Sequence, residues 1–136
     1  MKILIIDDEQ IVSDFYAKVA QTRGHTDIEA VASGEEALTR VIRTNYDLIT
    51  LDIQMPGVSG LEIIAMLRNM CPHAVIALIS GYIPDEISEE VAGCADVMIS
   101  KPVNIDTFHK LLDNTEQIVQ VMEQIKSLGI SPEGDR

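Results

Sequence analysis

Short aliphatic runs separated by longer stretches of helical period set the strongest constraint on this chain. Ile3 to Ile6, Ile28 to Ala32, Leu48 to Leu51, Ala74 to Ile79 and Val97 to Ile99 are each nearly unbroken in apolar character and too short for a core helix. That is the signature of strands buried on both faces. After the first run, Val12, Phe15, Tyr16, Val19 and Ala20 recur at i, i+3, i+4, i+7 and i+8, predicting an amphipathic helix that Gly24 ends. Ser33 is placed to cap a second helix, with Glu36 completing a capping box ahead of Ala37, Leu38, Val41 and Ile42. The turn signal Met55-Pro56-Gly57 precedes a third helix through Leu61, Ile63, Ile64, Leu67 and Met70. A weaker, acidic helix is predicted from about Asp85 to Ala92. The last strand stops at Lys101-Pro102, because proline has no ladder donor, and a long helix starts near Asn104 or Ile105.

Five strands alternating with five helices predict an α/β domain, doubly wound, with a five-stranded parallel sheet and right-handed crossovers. In such a sheet the ligand site lies beyond the carboxyl ends of the strands. Length agrees with one domain: 136 residues, 46% of them apolar, supply a single core. The formal charge of −12 repels phosphate backbones and anionic lipid, so neither direct nucleic-acid binding nor membrane association is expected. No apolar run approaches the roughly 20 residues of a membrane span. The start of the sequence lacks the pattern of a secretory signal, and a cytoplasmic location is expected. Cys71 and Cys94 show no metal or redox spacing and read as reduced, half-buried small hydrophobes. His25, His73 and His109 are scattered and read as surface or loop residues.

The strand ends hold the chemistry. Asp7, Asp8 and Glu9 follow the first strand, Asp52 the third, Ser80 and Gly81 the fourth, and Lys101 the fifth. Any one of these alone is an ordinary cap or turn residue. Gathered at one sheet edge, the carboxylates repel one another and raise each other's pKa unless a counter-charge is present. Oxygen donors without His or Cys point to a hard divalent cation, Mg²⁺ first, with Mn²⁺ or Ca²⁺ as substitutes.

With Asp7-Asp8-Glu9, Asp52-x-x-Met55-Pro56-Gly57 followed by Gly60, Ser80 at the end of the fourth strand, and Lys101-Pro102, the chain resembles the CheY-like receiver domain of two-component response regulators. The resemblance spans about residues 1–118 and implies a flavodoxin/CheY-like sheet of order 2-1-3-4-5. It further implies that Asp52 accepts a phosphoryl group from a phosphohistidine on a sensor histidine kinase or phosphotransfer protein. Asp8 and Asp52 would contact Mg²⁺ directly, Asp7 through water, and the backbone carbonyl of Gln54 would supply another oxygen. Lys101 is then the fixed cation facing the phosphoryl oxygens. Ser80 turns its hydroxyl toward the new phosphoryl oxygen and reports to a downstream protein through the face of helix four, strand five and helix five. A module of this kind signals by binding and is not an enzyme in the usual sense, although it helps catalyse its own phosphorylation and dephosphorylation. Two rival readings are a non-phosphorylated scaffold with the same fold and an aspartyl-phosphate hydrolase. The hydrolase reading needs an Asp two residues after Asp52, where Gln54 stands.

Two departures from the family pattern bear on output. Met98 occupies the position where many receivers carry a switching Tyr or Phe, so strand four to helix four is expected to move while strand five changes little, with Tyr82 a partial substitute for the aromatic. Gln54 and Tyr82 also flank Asp52's site at positions that influence hydrolysis in similar proteins. The second departure is the last helix. Its apolar positions run on through Ile118, Val119, Val121, Met122, Ile125 and Leu128, about 37 Å from Asn104 if wholly helical. Residues 119–136 therefore read as a helical extension with a frayed tail from Ser131. The extension folds over its own sheet, pairs two copies in a homodimer, or leads to an output domain. The acidic fourth helix lacks a basic complement, which argues against dimers that pair basic with acidic residues across helices four and five.

Overall fold

The computed structural model describes residues 1–55, 57, 60–82, 84–130 and 132. Strands β1 (Ile3–Ile6), β2 (Ile28–Val31), β3 (Leu48–Leu51), β4 (Val75–Ser80) and β5 (Val97–Ser100) alternate with helices α1 (Gln10–Thr22), α2 (Gly34–Arg43), α3 (Gly60–Met70), α4 (Glu89–Ala92) and α5 (Ile105–Lys126). All strand pairs are parallel and their order is β2-β1-β3-β4-β5, the doubly wound arrangement expected from the alternation. Pro56 and nearly all of the 131–136 tail lie outside the described residues.

Every side chain of β1 and β3 is buried, and the period of two sends alternate residues into two cores. Ile3, Ile5, Leu48, Ala77 and Ile79 face α1 and α5, where Tyr16 stacks on Phe108 with ring centroids 4.9 Å apart. Leu4, Ile6, Ile49, Leu51, Ile76 and Leu78 face α2 and α3 through Val41, Ile63, Ile64 and Leu67. Each fully buried Leu or Ile contributes about 1.5–3 kcal/mol relative to exposure. Helix starts follow the sequence: the Ser33 hydroxyl accepts from the Glu36 amide, and Asn104 Oδ1 accepts from the Thr107 amide. Gly24, just past α1, has φ +86°, a conformation that favours glycine.

Three expectations are corrected. Phe15 and Ile42 fit the apolar period but are exposed, and Ser13 takes the buried place on α1, its hydroxyl donating to the Asp7 carbonyl at 3.4 Å. α4 is a single turn beginning at Glu89 rather than near Asp85. None of its residues is buried, so no apolar stripe holds a longer helix against the core. His25 lies in a loop as expected, after α1, but is buried there at 6% exposure, with Nε2 3.6 Å from Glu116 Oε2 on α5. The last helix ends at Lys126, before Leu128, and its buried residues, Phe108, Leu112 and Thr115, all lie in its first half. Cys71 and Cys94 are unpaired thiols, and burial pushes that of Cys71 up. No helix among the described residues is long and apolar enough to cross a membrane.

Candidate functional site

The register of β1 against β3 pairs Ile6 with Leu51, so Asp7 and Asp52 leave the sheet side by side. Backbone bonds extend the ladder to these acids, from the Asp7 amide to the Val31 carbonyl (3.1 Å) and from the Asp52 amide to the Ile6 carbonyl (3.0 Å). Both carboxylates are 4% exposed, whereas Asp8 is exposed. β5 approaches from the far edge, where the Lys101 amide donates to the Ser80 carbonyl at 2.9 Å and the cis Lys101–Pro102 peptide follows.

The two buried acids are held in the same way. Oδ1 of Asp7 accepts from the Glu9 amide and Oδ1 of Asp52 from the Gln54 amide, each at 2.9 Å and each from the residue two places on. Oδ2 of each accepts from the Lys101 ammonium, at 2.9 Å for Asp7 and 3.0 Å for Asp52. Glu9 Oε1 lies 3.6 Å from the same Nζ. One cation thus bridges two anions that would otherwise repel across a low-dielectric gap. Burial pushes the Asp7 carboxyl above its ordinary value, against the opposing pull of Lys101 and the Glu9 amide. Burial alone would lower the Lys101 ammonium, but its bonds to Asp7 and Asp52 hold it above the usual lysine range. Tyr16, packed beneath this group, is pushed up to about 12 by burial.

Carboxylate oxygens of Asp7, Asp8 and Asp52 lie within 4.8 Å of one another, a set of hard oxygen donors suited to a divalent cation. Of the sequence-predicted residues, Asp7, Asp8, Asp52 and Lys101 come together. Gln54 follows Asp52 directly, with its amide bound to that carboxylate and its side chain exposed. Ser80 is fully buried at the end of β4, and its Oγ accepts from the Tyr82 amide at 3.4 Å, a contact within its own turn. Tyr82 is 60% exposed, and Met98 is 43% exposed on β5.

Sequence reasoning gave two residues no role. Gly60 opens α3 so close to the strand end that a Cβ there would sit 2.5 Å from the Asp52 carbonyl oxygen and 2.8 Å from Ile53 Cα. The glycine at that spacing was legible, but its reason was not. Arg68 on α3 donates to the carbonyls of Cys71, Pro72, Ala74 and Cys94 and to Asp96 Oδ2, which also accepts from the Ile76 amide. It fastens the α4–β5 turn to the end of α3 and the start of β4, and a lone Arg in an amphipathic helix gives no sign of such a task.

A family model described as the response regulator receiver domain matches residues 3–113. Among curated proteins, the transcriptional regulatory protein TcrA of Mycobacterium tuberculosis is 32% identical over 108 residues, 78% of this chain and 42% of that one. The two-component response regulator PhoP of Pseudomonas aeruginosa is 31% identical over 83% of this chain and 50% of its own length. The chain therefore spans half or less of the length of these relatives. Among solved structures, the response regulator TrrA of Thermotoga maritima in complex with Mg²⁺ and BeF is 34% identical, with a TM-score of 0.74 over 85% of this chain and 99% of that one. The same protein has been solved in complex with the histidine kinase ThkA (TM-score 0.73, 34% identity, 85% of this chain and 98% of that one). A CheY-like receiver domain of Methanospirillum hungatei is 26% identical, with a TM-score of 0.75 over 85% of this chain and 96% of that one. The parallel sheet in the order 2-1-3-4-5, the acids at the ends of β1 and β3 and the extent of the match lead to one conclusion: the chain belongs to the response regulator receiver domain family of two-component systems.

Proposed function

We propose that this receiver accepts a phosphoryl group on Asp52 from a phosphohistidine of a sensor kinase or phosphotransfer protein. The observation behind this reading is the Lys101 ammonium shared between Asp7 and Asp52. It binds two buried carboxylates side by side and fixes a positive charge where phosphoryl oxygens arrive. A carboxylate oxygen of Asp52 forms the new O–P bond as the N–P bond of the donor imidazole breaks, and the electron pair leaves with the imidazole nitrogen. The Gln54 amide and Lys101 orient the Asp52 carboxylate, so little reorganisation remains for the transition state.

Asp7, Asp8 and Asp52, with the carbonyl of Gln54, are the residues that would hold Mg²⁺, which when bound supplies charge neutralisation for the transferring group. Lys101 also borders a groove of about 520 Å³ whose rim includes Ile11, Phe15, Pro102 and Val103. Ile11 there is 85% exposed, an apolar footing for the phosphohistidine donor beside the acceptor. Phosphorylation would change the bond of Ser80 to its turn and so bias the segment after β4, offering the α4–β5–α5 face to a downstream protein. Residues 1–118 constitute the phosphoacceptor unit in this reading, and residues 119–136 lie outside it.

Intact-mass measurement after incubation with acetyl phosphate tests the proposal. Phosphoryl incorporation that requires Mg²⁺ and disappears in Asp52→Ala is the expected result. No incorporation under any divalent cation would favour a scaffold that keeps the fold without the chemistry. Continuous release of phosphate from small phosphoesters would favour a hydrolase.

A further inference from the structure

We propose that His25 is a proton-responsive tie between the end of α1 and the middle of α5: when its imidazole takes up a proton, Glu116 closes on Nε2 and fastens the point from which the second half of α5 projects. Nε2 of His25 is sealed from solvent without a hydrogen bond, and Glu116 Oε2 stands 3.6 Å from it, just beyond bonding distance. A buried ring nitrogen left in this way costs free energy, and a carboxylate facing it is the group that can relieve the cost. Histidine is also the side chain whose charge changes across about pH 5 to 8, so the relief is tied to proton uptake.

The ring is held in place by its backbone. The His25 amide donates to the Ala20 carbonyl at 3.1 Å, and Gly24, at φ +86°, makes the turn that delivers His25 against α5. Glu116 is the partner able to shift: its side chain is 43% exposed and has no other hydrogen bond or ion pair among the described residues. The neighbouring charges are already matched. Arg23, just after α1, lies 3.5 Å from Asp113 on α5, and Lys2, just before β1, lies 3.7 Å from Asp27. His109 stands on the same stripe of α5, four residues before Asp113 and seven before Glu116, and is half-buried. Glu116 is therefore the anion left for His25, and the carbonyl end of α1 adds a preference for positive charge at this place.

Location gives the contact leverage. Thr115, next to Glu116, is the last buried residue of α5, and the helix continues from there to Lys126 without burying another. A tie at Glu116 acts where the packed half of the helix gives way to the projecting half. It holds that half toward the α1–β2 loop when the imidazole is charged and releases it as the proton leaves. The inference needs neither a bound cation nor phosphoryl chemistry at Asp52.

Amide hydrogen exchange and side-chain NMR on the full chain at about pH 5.5 and about pH 7.5 test it. Expected in the wild type at the lower pH are a slowly exchanging His25 Nε2 proton and protection factors, corrected for the intrinsic effect of pH, about threefold higher across residues 116–126. Glu116→Ala should remove both. Alanine suits a partly exposed helical site, and circular dichroism verifies that this variant keeps the fold. His109→Gln, which removes the imidazole of α5, should leave both in place. A His25 that stays uncharged at the lower pH overturns the proposal, as does wild-type protection of residues 116–126 that does not respond to pH. So does a response that survives Glu116→Ala, or one that His109→Gln abolishes.

Discussion

β1 and β3 are buried along their whole length, while β5, a strand of the same sheet, is exposed or half-exposed at every residue. The helices follow suit: α3 buries four residues, α4 none, and α5 only those of its first half. The difference comes from position in the sheet. Central strands are covered by a neighbour on each side and helices on each face, whereas β5 has β4 on one side only. The acids sit where the backbone is most constrained, which suits the cation and phosphoryl chemistry proposed for them. The surface left for partners is the part with least buried area, where a small free-energy change suffices to shift a segment.

Substitutions can break this contrast at graded strength. Gly60→Ala should have the largest effect, because the added Cβ meets backbone rather than a side chain that can turn away. A loss of about 3 kcal/mol, read by urea unfolding, is expected together with slower phosphorylation from acetyl phosphate as Asp52 is displaced. An unchanged rate would mean that the acid site does not depend on this close approach. Arg68→Ala removes the clamp between the constrained interior and the exposed α4–β5 turn, and about 2 kcal/mol should be lost. Hydrogen exchange should then accelerate at residues 89–97 well before β1 and β3. Uniform acceleration would mean that the two regions open as one.

The next effect is in pH. Burial pushes Tyr16 and Tyr46 up to about 12 from an ordinary value of 10, so the folded state favours the neutral phenol. This contribution to stability is full below pH 10 and is lost as pH rises through about 12. A combined absorbance and unfolding titration should show these two phenols ionising no earlier than the loss of structure. Ionisation well below that point would indicate that the interior around them is looser than its packing implies. The smallest effect is expected from Met98→Ala, below about 1 kcal/mol at a site that is 43% exposed. With beryllofluoride bound, resonances near Tyr82 should shift more than the Met98 methyl, and a dominant Met98 change would return the switch to β5.

The sheet was legible because buried parallel strands leave continuous aliphatic runs, and the acid site because its residues terminate those runs. Asp7, Asp52 and Lys101 needed only the strand order to be brought together. What escaped has a common cause in long-range contact. Phe15 and Ile42 obey the helical period but lie where no element covers them. His25 is buried because α5 passes over its loop, and local sequence carries no record of that passage. α4 was overextended because Asp85 to Ser88 are compatible with a helix that tertiary packing does not support. The 2.5 Å approach at Gly60 and the reach of Arg68 depend on distances between elements, which spacing along the chain does not encode.

Arg68 also bears on how this surface can diverge. Four of its five acceptors are main-chain carbonyl oxygens, of residues 71, 72, 74 and 94, which every amino acid supplies. Only Asp96 contributes a side chain. The turns before β4 and before β5 can therefore exchange residues such as Pro72 and Cys94 for others while their attachment to Arg68 is kept. Recognition and anchorage draw on separate atoms of the same few residues, so a lineage retaining Arg68 and Asp96 is free to rewrite the rest.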